Sequence, residues 1–123
     1  MSGTLLIVID DSAMARWLPG HFEALGWSVA HVSTGVDVVD FACGTNRCPD
    51  VALIDAVLGD DDGHVVCEDI RAACPDAYLV MTSARAGQTA RLKALAAGAD
   101  ACLLKPFALS RLETLLDRRH EKK

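Results

Sequence analysis

The chain has 123 residues, is 51% hydrophobic and carries a formal net charge of −5. That length fits one domain with a real core. No apolar run approaches the ~20 residues of a membrane span, and the acidic balance argues against a general nucleic-acid binder, which carries a basic face. Met1-Ser2-Gly3-Thr4 lacks the basic start of a signal peptide. The five cysteines, Cys43, Cys48, Cys67, Cys74 and Cys102, form no Cys-x-x-Cys. Without an export signal they are expected to be reduced thiols in a cytoplasmic protein.

Leu5 to Ile9 is a continuous apolar run ending on Asp10 and Asp11. A helix should follow, with Asp11 or Ser12 as N-cap and Met14, Leu18, Phe22 and Leu25 as its buried face. Pro19 removes one intrahelical hydrogen bond, so a kink or a late start is expected, and Gly26 is a fitting C′ residue. Trp27 to Val32 reads as a short strand, Ser33-Thr34-Gly35 as a turn, and Val36 to Cys43 as a short helix with Val36, Val39 and Cys43 inward. A loop from Gly44 to Pro49 leads into Val51-Ala52-Leu53-Ile54-Asp55, four apolar residues ending on a carboxylate. Such a run suits a strand buried on both faces of a parallel sheet. An acidic, turn-rich loop follows to Asp62, and Gly63 opens a helix with Val66, Ile70 and Ala73 on one side, ended by Cys74-Pro75-Asp76. Tyr78 to Met81 is the next apolar strand and leads to Thr82-Ser83-Ala84. A weakly apolar helix, Gln88 to Ala97 with Leu92 and Leu95, stops at Gly98. Ala101 to Leu104 is the last strand, ending on Lys105-Pro106-Phe107. The final helix, Ser110 to Arg119, turns Leu112, Leu115 and Leu116 inward, and its basic end suits the helix dipole.

Strand and helix alternate five times, which predicts an α/β protein with a doubly wound, five-stranded parallel sheet of flavodoxin-like (βα)5 type. Asp10, Asp11, Asp55, Ser83 and Lys105 then meet at the carboxyl edge, where such sheets bind ligands. Taken singly, the carboxylates could be helix caps and Lys105 a surface lysine; what needs explaining is their convergence. Clustered carboxylates repel unless a cation sits among them. Oxygen-only donors favour a hard ion, Mg²⁺ above all. A hydroxyl and an ammonium beside them suit phosphoryl transfer to a carboxylate. Asp60-Asp61-Asp62-Gly63 does not fit an EF-hand loop, since residue 58 would need to be Asp and is Leu; neither G-x-G-x-x-G nor a P-loop occurs. His64 and Cys67, one helical turn apart, form at most an incidental metal pair.

Ile7-Val8-Ile9-Asp10-Asp11-Ser12, Leu53-Ile54-Asp55 with Asp62-Gly63 beyond it, Ser83-Ala84-Arg85, Gly98-Ala99-Asp100 and Lys105-Pro106-Phe107 together resemble the receiver domain of two-component response regulators. The resemblance spans essentially the whole chain and is closest to single-domain, chemotaxis-regulator-like receivers. It implies that Asp55 is the phospho-acceptor and that Asp10, Asp11, Asp55 and the backbone carbonyl of Val57 hold Mg²⁺. It also implies that Ser83 and Lys105 contact the phosphoryl group and that the Lys105–Pro106 bond is cis. Ser83 is preferred to Thr82 because it directly precedes Ala84, at the family's spacing from Lys105, and Ala84 is small enough to leave the phosphoryl group room. The family usually has Pro where this chain has Gly59, and an aromatic residue where it has Cys102, which puts the usual output relay in doubt.

The expected protein is a single receiver domain over residues 1–123 that signals through a protein–protein surface. Its partners would be a sensor histidine kinase or histidine phosphotransfer protein and a downstream target, with no direct nucleic-acid or membrane contact. No helix-turn-helix follows residue 119, yet Arg118 to Lys123 could equally begin a linker in a longer regulator. A small aspartyl-phosphate phosphohydrolase would need a general acid at position 57, where Val57 cannot serve. A phosphorylation-independent interaction module would not need Asp10, Asp11, Asp55 and Lys105 intact.

Overall fold

The computed structural model describes residues 3–10, 12–33, 48–58, 61–84 and 87–117, with Ser12 and Asp61 described in their backbones. Its elements are β1 (Thr4–Val8), α1 (Ser12–Ala24), β2 (Ser28–Val32), β3 (Val51–Asp55), β4 (Val57–Leu58), β5 (Asp61–Asp62), α2 (Gly63–Ala73), β6 (Tyr78–Ser83), α3 (Gln88–Ala96), β7 (Ala101–Leu104) and α4 (Leu109–Asp117). Five strands form one parallel sheet in the order β2-β1-β3-β6-β7. This is the doubly wound, flavodoxin-like architecture expected. The short helix expected at Val36 to Cys43 lies outside the described residues, as does Asp11. The acidic loop contains a small antiparallel ribbon, with Val57 opposite Asp62 and Leu58 opposite Asp61.

Strand side chains alternate between faces, and this divides the core in two. On one face Leu5, Ile7, Ile9, Val51, Leu53, Val80 and Leu103 pack with Leu18 and Phe22 of α1 and Leu112 and Leu116 of α4. On the other, Leu6, Val8, Ala52, Ile54, Leu79 and Met81 pack with Val66, Cys67 and Ile70 of α2 and Ala94 of α3. Every residue of β3 is buried, as its unbroken apolar run predicted. Burying each of its Val, Leu and Ile side chains is worth about 1.5–3 kcal/mol.

Several local expectations change. Helix α1 starts at Ser12 and runs through Pro19, so the late start does not occur. Leu25 lies past its end and is exposed, in the turn that Gly26 completes at φ 97°. Ala73, at the end of α2, is also exposed. In α3 the buried residue is Ala94, while Leu92 and Leu95 face solvent; a helix seated through a small residue packs close to the sheet.

Two of the cysteines depart from the expectation of reduced thiols. Cys48 and Cys74 form a disulfide, with 5.5 Å between their Cα atoms, inside the range such a bridge needs. A sequence separation of 26 hides this pairing. The β3–α2 unit returns the chain to the start of β3, so the C-cap of α2 meets the approach to that strand. Cys67 and Cys102 are free thiols, and Cys43 lies outside the described residues.

The amino edge of the sheet is tied by polar groups. Arg71 donates to the carbonyls of Gly98, Pro75 and Ala77 and to Asp100 Oδ2, at 2.7–3.0 Å. Asp100 Oδ2 also accepts from the Leu79 amide at 2.9 Å. At Gly98, with φ 104°, an added Cβ would press on the Arg71 stem. This clamp accounts structurally for Gly98-Ala99-Asp100.

Candidate functional site

The register of β3 and β6 builds the centre of the site. Asp55 is paired with Thr82, and partners in a parallel ladder present their side chains to the same face. Thr82, fully buried, donates its hydroxyl to Asp55 Oδ1 at 2.8 Å. Lys105 comes from the end of β7. Its amide donates to the Ser83 carbonyl at 2.7 Å, which fixes the strand end, and the Lys105–Pro106 bond is cis, as expected. Its ammonium lies 2.8 Å from Asp55 Oδ2 and 2.6 Å from Oδ1. Asp55 is 5% exposed. A carboxylate so removed from water is tolerable only when paired and hydrogen-bonded, and it has both partners.

The turn after Asp55 is equally constrained. The Ala56 amide donates to the Thr82 carbonyl and the Gly63 amide to the Ala56 carbonyl, each at 2.9 Å. A Cβ at Gly63 would overlap the carbonyl oxygen of Asp55, so α2 can begin there only with glycine. Asp62 caps this helix by accepting from the His64 amide at 2.9 Å and from the His64 ring at 2.8 Å. Those hydrogen bonds, the backbone one foremost, hold the Asp62 carboxyl below its ordinary range, with help from nearby Lys93.

Beside Asp55 lies a cleft of about 760 Å³, lined among others by Val57, Thr82, Ser83, Lys93, Cys102 and Lys105. Ser83 is half-buried on its wall. Cys102, at the usual aromatic position, also lines it, and burial pushes its thiol up. Asp10 is exposed just beyond β1, the strand that neighbours β3. Among the described residues no cluster of three metal-ligating side chains is formed; Asp11, the third expected carboxylate, is not one of them.

Asp55, Ser83, Lys105 and Val57 are thus brought to one cleft, with Asp10 just past the end of the adjoining strand. The sequence reading missed the direct bond from Thr82 to Asp55. The signal for it was the period-two pattern: a strand register aligning residue 55 with 82 puts both on one face, whatever the family pattern says of residue 83.

The family model of the response regulator receiver domain matches residues 5–117. The chain belongs to the response regulator receiver family. Response regulator MprA of Mycobacterium sp. (strain KMS) is 34% identical over 108 residues, covering 88% of this chain and 46% of that protein. The chain therefore spans about half the length of the curated relatives it matches. A CheY-like response regulator receiver domain protein from Methanospirillum hungatei JF-1 superposes with a TM-score of 0.81 at 26% identity, over 100% of both chains. The beryllofluoride-activated receiver domain of DrrB has the same fold, with a TM-score of 0.84 at 24% identity, covering 98% of this chain and 99% of that one. The chain is therefore a response regulator receiver domain of two-component systems, a signalling domain and not an enzyme in the ordinary sense. Among the described residues no helix of this receiver is long and apolar enough to cross a membrane.

Proposed function

We propose that residues 1–123 act as one receiver unit in the cytoplasm and that Asp55 accepts a phosphoryl group from a sensor histidine kinase or histidine phosphotransfer protein. The observation that carries this reading is the buried Asp55 carboxylate, held by Lys105 and Thr82 at the mouth of the cleft. Thr82 and Lys105 fix the carboxylate's direction, leaving a lone pair of an Asp55 oxygen to attack phosphorus while the donor's nitrogen leaves. As charge gathers on the phosphoryl oxygens, the Lys105 ammonium shifts from the carboxylate to them, and the Ser83 hydroxyl donates to one of them. Asp10, Asp11, Asp55 and the Val57 carbonyl would hold Mg²⁺; these are oxygen donors only, which suits a hard cation, and Asp10 follows the end of β1, the strand paired with the one that Asp55 ends. Bound there, the ion neutralises charge on the phosphoryl group.

Output would pass to a downstream protein through a surface around α3 and β7, where Leu92, Leu95 and Leu104 are exposed. With Cys102 in place of an aromatic ring, the shift there is expected to be small. The test of acceptor identity is incubation with acetyl phosphate and Mg²⁺ followed by intact mass. One phosphoryl increment is expected in the wild type, and none in Asp55→Asn or with EDTA. An unchanged increment in Asp55→Asn would falsify the assignment.

A further inference from the structure

We infer that Cys48 and Cys74 form a reversible thiol–disulfide site, closed and opened by exchange with a low-molecular-weight couple of the glutathione class. The two residues differ in access: Cys48 is exposed, whereas Cys74, the C-cap of α2, is 1% exposed. Exchange therefore begins at Cys48. Its thiolate attacks one sulfur of the small disulfide, forming a mixed disulfide and expelling one small thiolate. Cys74 then loses its proton and attacks the Cys48 sulfur, closing the internal bond and expelling the second small thiolate. The two protons released by the protein end on the two small thiols, so the protein is oxidised by two electrons and the couple reduced by two.

The open state already has a place in the fold. The Cys48 sulfur lies 3.5 Å from the Ala73 carbonyl oxygen. A thiol can donate there; a disulfide sulfur has no proton to give. Opening the bond thus exchanges one tie to the end of α2 for a weaker one at the same spot. Arg71, one turn earlier, holds that end of the helix in either state through Gly98, Pro75, Ala77 and Asp100. Among the described residues the competing thiols are poorly placed. Cys67 is fully buried, and burial pushes it up to about 11, so it offers little thiolate near neutrality. Cys102 lies at the cleft beside Asp55, at the other edge of the sheet.

The consequence follows from what the bond encloses. Between Cys48 and Cys74 run β3 with Asp55, the β4–β5 ribbon and the whole of α2. Closing this loop restricts the unfolded chain, while Asp55, Thr82 and Lys105 keep their contacts. Redox state should therefore set the receiver's resistance to unfolding without altering the acceptor's chemistry. None of this rests on the assignment of Asp55.

The experiment equilibrates the purified chain in glutathione buffers of graded ratio, traps free thiols with iodoacetamide, and reads intact mass and non-reducing peptide maps. The expected result is a reversible passage between open and closed forms, with the closed bond mapped to Cys48 and Cys74. The closed form should melt higher by on the order of 10 °C, and Cys48→Ser, at an exposed position, should abolish both the closed form and the redox dependence of melting. Cys74→Ala provides the same check from the buried side. The inference is overturned if no ratio closes the bond, if only a glutathione adduct forms, if another pair is joined, or if excess thiol cannot open the bond in the folded protein.

Discussion

The pairing of Lys105 with Asp55 should be measurable as stability in the metal-free protein. Lys105→Ala removes the ammonium that lies 2.8 Å from Asp55 Oδ2. The gross attraction at that distance is about 6 kcal/mol for an effective dielectric constant near 20, much of it already offset by desolvation. Removing one partner of a buried pair costs about 3–5 kcal/mol, because the remaining charge keeps its desolvation penalty. The Lys105 side chain is 23% exposed, which lets water reach the vacated place, and Thr82 still donates to the carboxylate. The expected loss is therefore at the low end, about 3 kcal/mol. With an m-value of about 2 kcal/mol/M, the urea midpoint should fall by about 1.5 M. Urea melts in EDTA of wild type, Lys105→Ala, Asp55→Asn and the double variant complete a cycle, and a coupling of about 2 kcal/mol or more is expected. A coupling below about 0.5 kcal/mol is what a solvent-screened surface pair gives. That result would refute the view that burial makes the site dependent on Lys105.

Three further outcomes are expected. Gly63→Ala should destabilise the fold and slow acetyl phosphate labelling together, since its Cβ overlaps the Asp55 carbonyl oxygen; wild-type melting and labelling would show that the turn yields freely. Asp62→Ala should cost about 1 kcal/mol at neutral pH through loss of the α2 cap. Because the folded Asp62 carboxyl is held below its ordinary value of 3.8, that contribution is present above pH 3.8 and disappears as pH falls through the folded value; a penalty independent of pH, followed by urea melts down the acid range, would contradict the capping role. The phosphorylated form should be long-lived, because its hydrolysis needs a water held in line with the Asp55–phosphorus bond. At the two sequence positions expected to hold it, two past Asp55 and two past Ser83, Val57 carries no hydrogen-bonding side-chain atom and Arg85 can only donate. Phosphate loss followed by intact mass should be faster by on the order of 10² in Val57→Asn with Arg85→Glu, and no acceleration would remove the water-positioning argument.

The amino-acid sequence by itself determined the alternation of strands and helices and the carboxyl-edge position of Asp55 and Lys105. Apolar runs such as Val51 to Ile54, short and bounded by turn residues, suit strands covered on both faces, and an alternating βα chain has little choice but a parallel sheet whose strand ends meet. The motif set was similarly legible, because each member is read within a few neighbouring residues. Which hydroxyl touches Asp55 was not: Thr82 and Ser83 are adjacent, and only the register of β3 against β6 puts Thr82 on the carboxylate. The Arg71 clamp was equally hidden, since it joins α2 to the turn after it and to the loop between α3 and β7. The burial of Ala94 in place of Leu92 and Leu95 depended on how closely α3 approaches the sheet, which hydrophobicity alone does not set. The Cys48–Cys74 bridge is the plainest case, because a disulfide is decided by Cα separation and direction, and those exist only once α2 has folded back along β3.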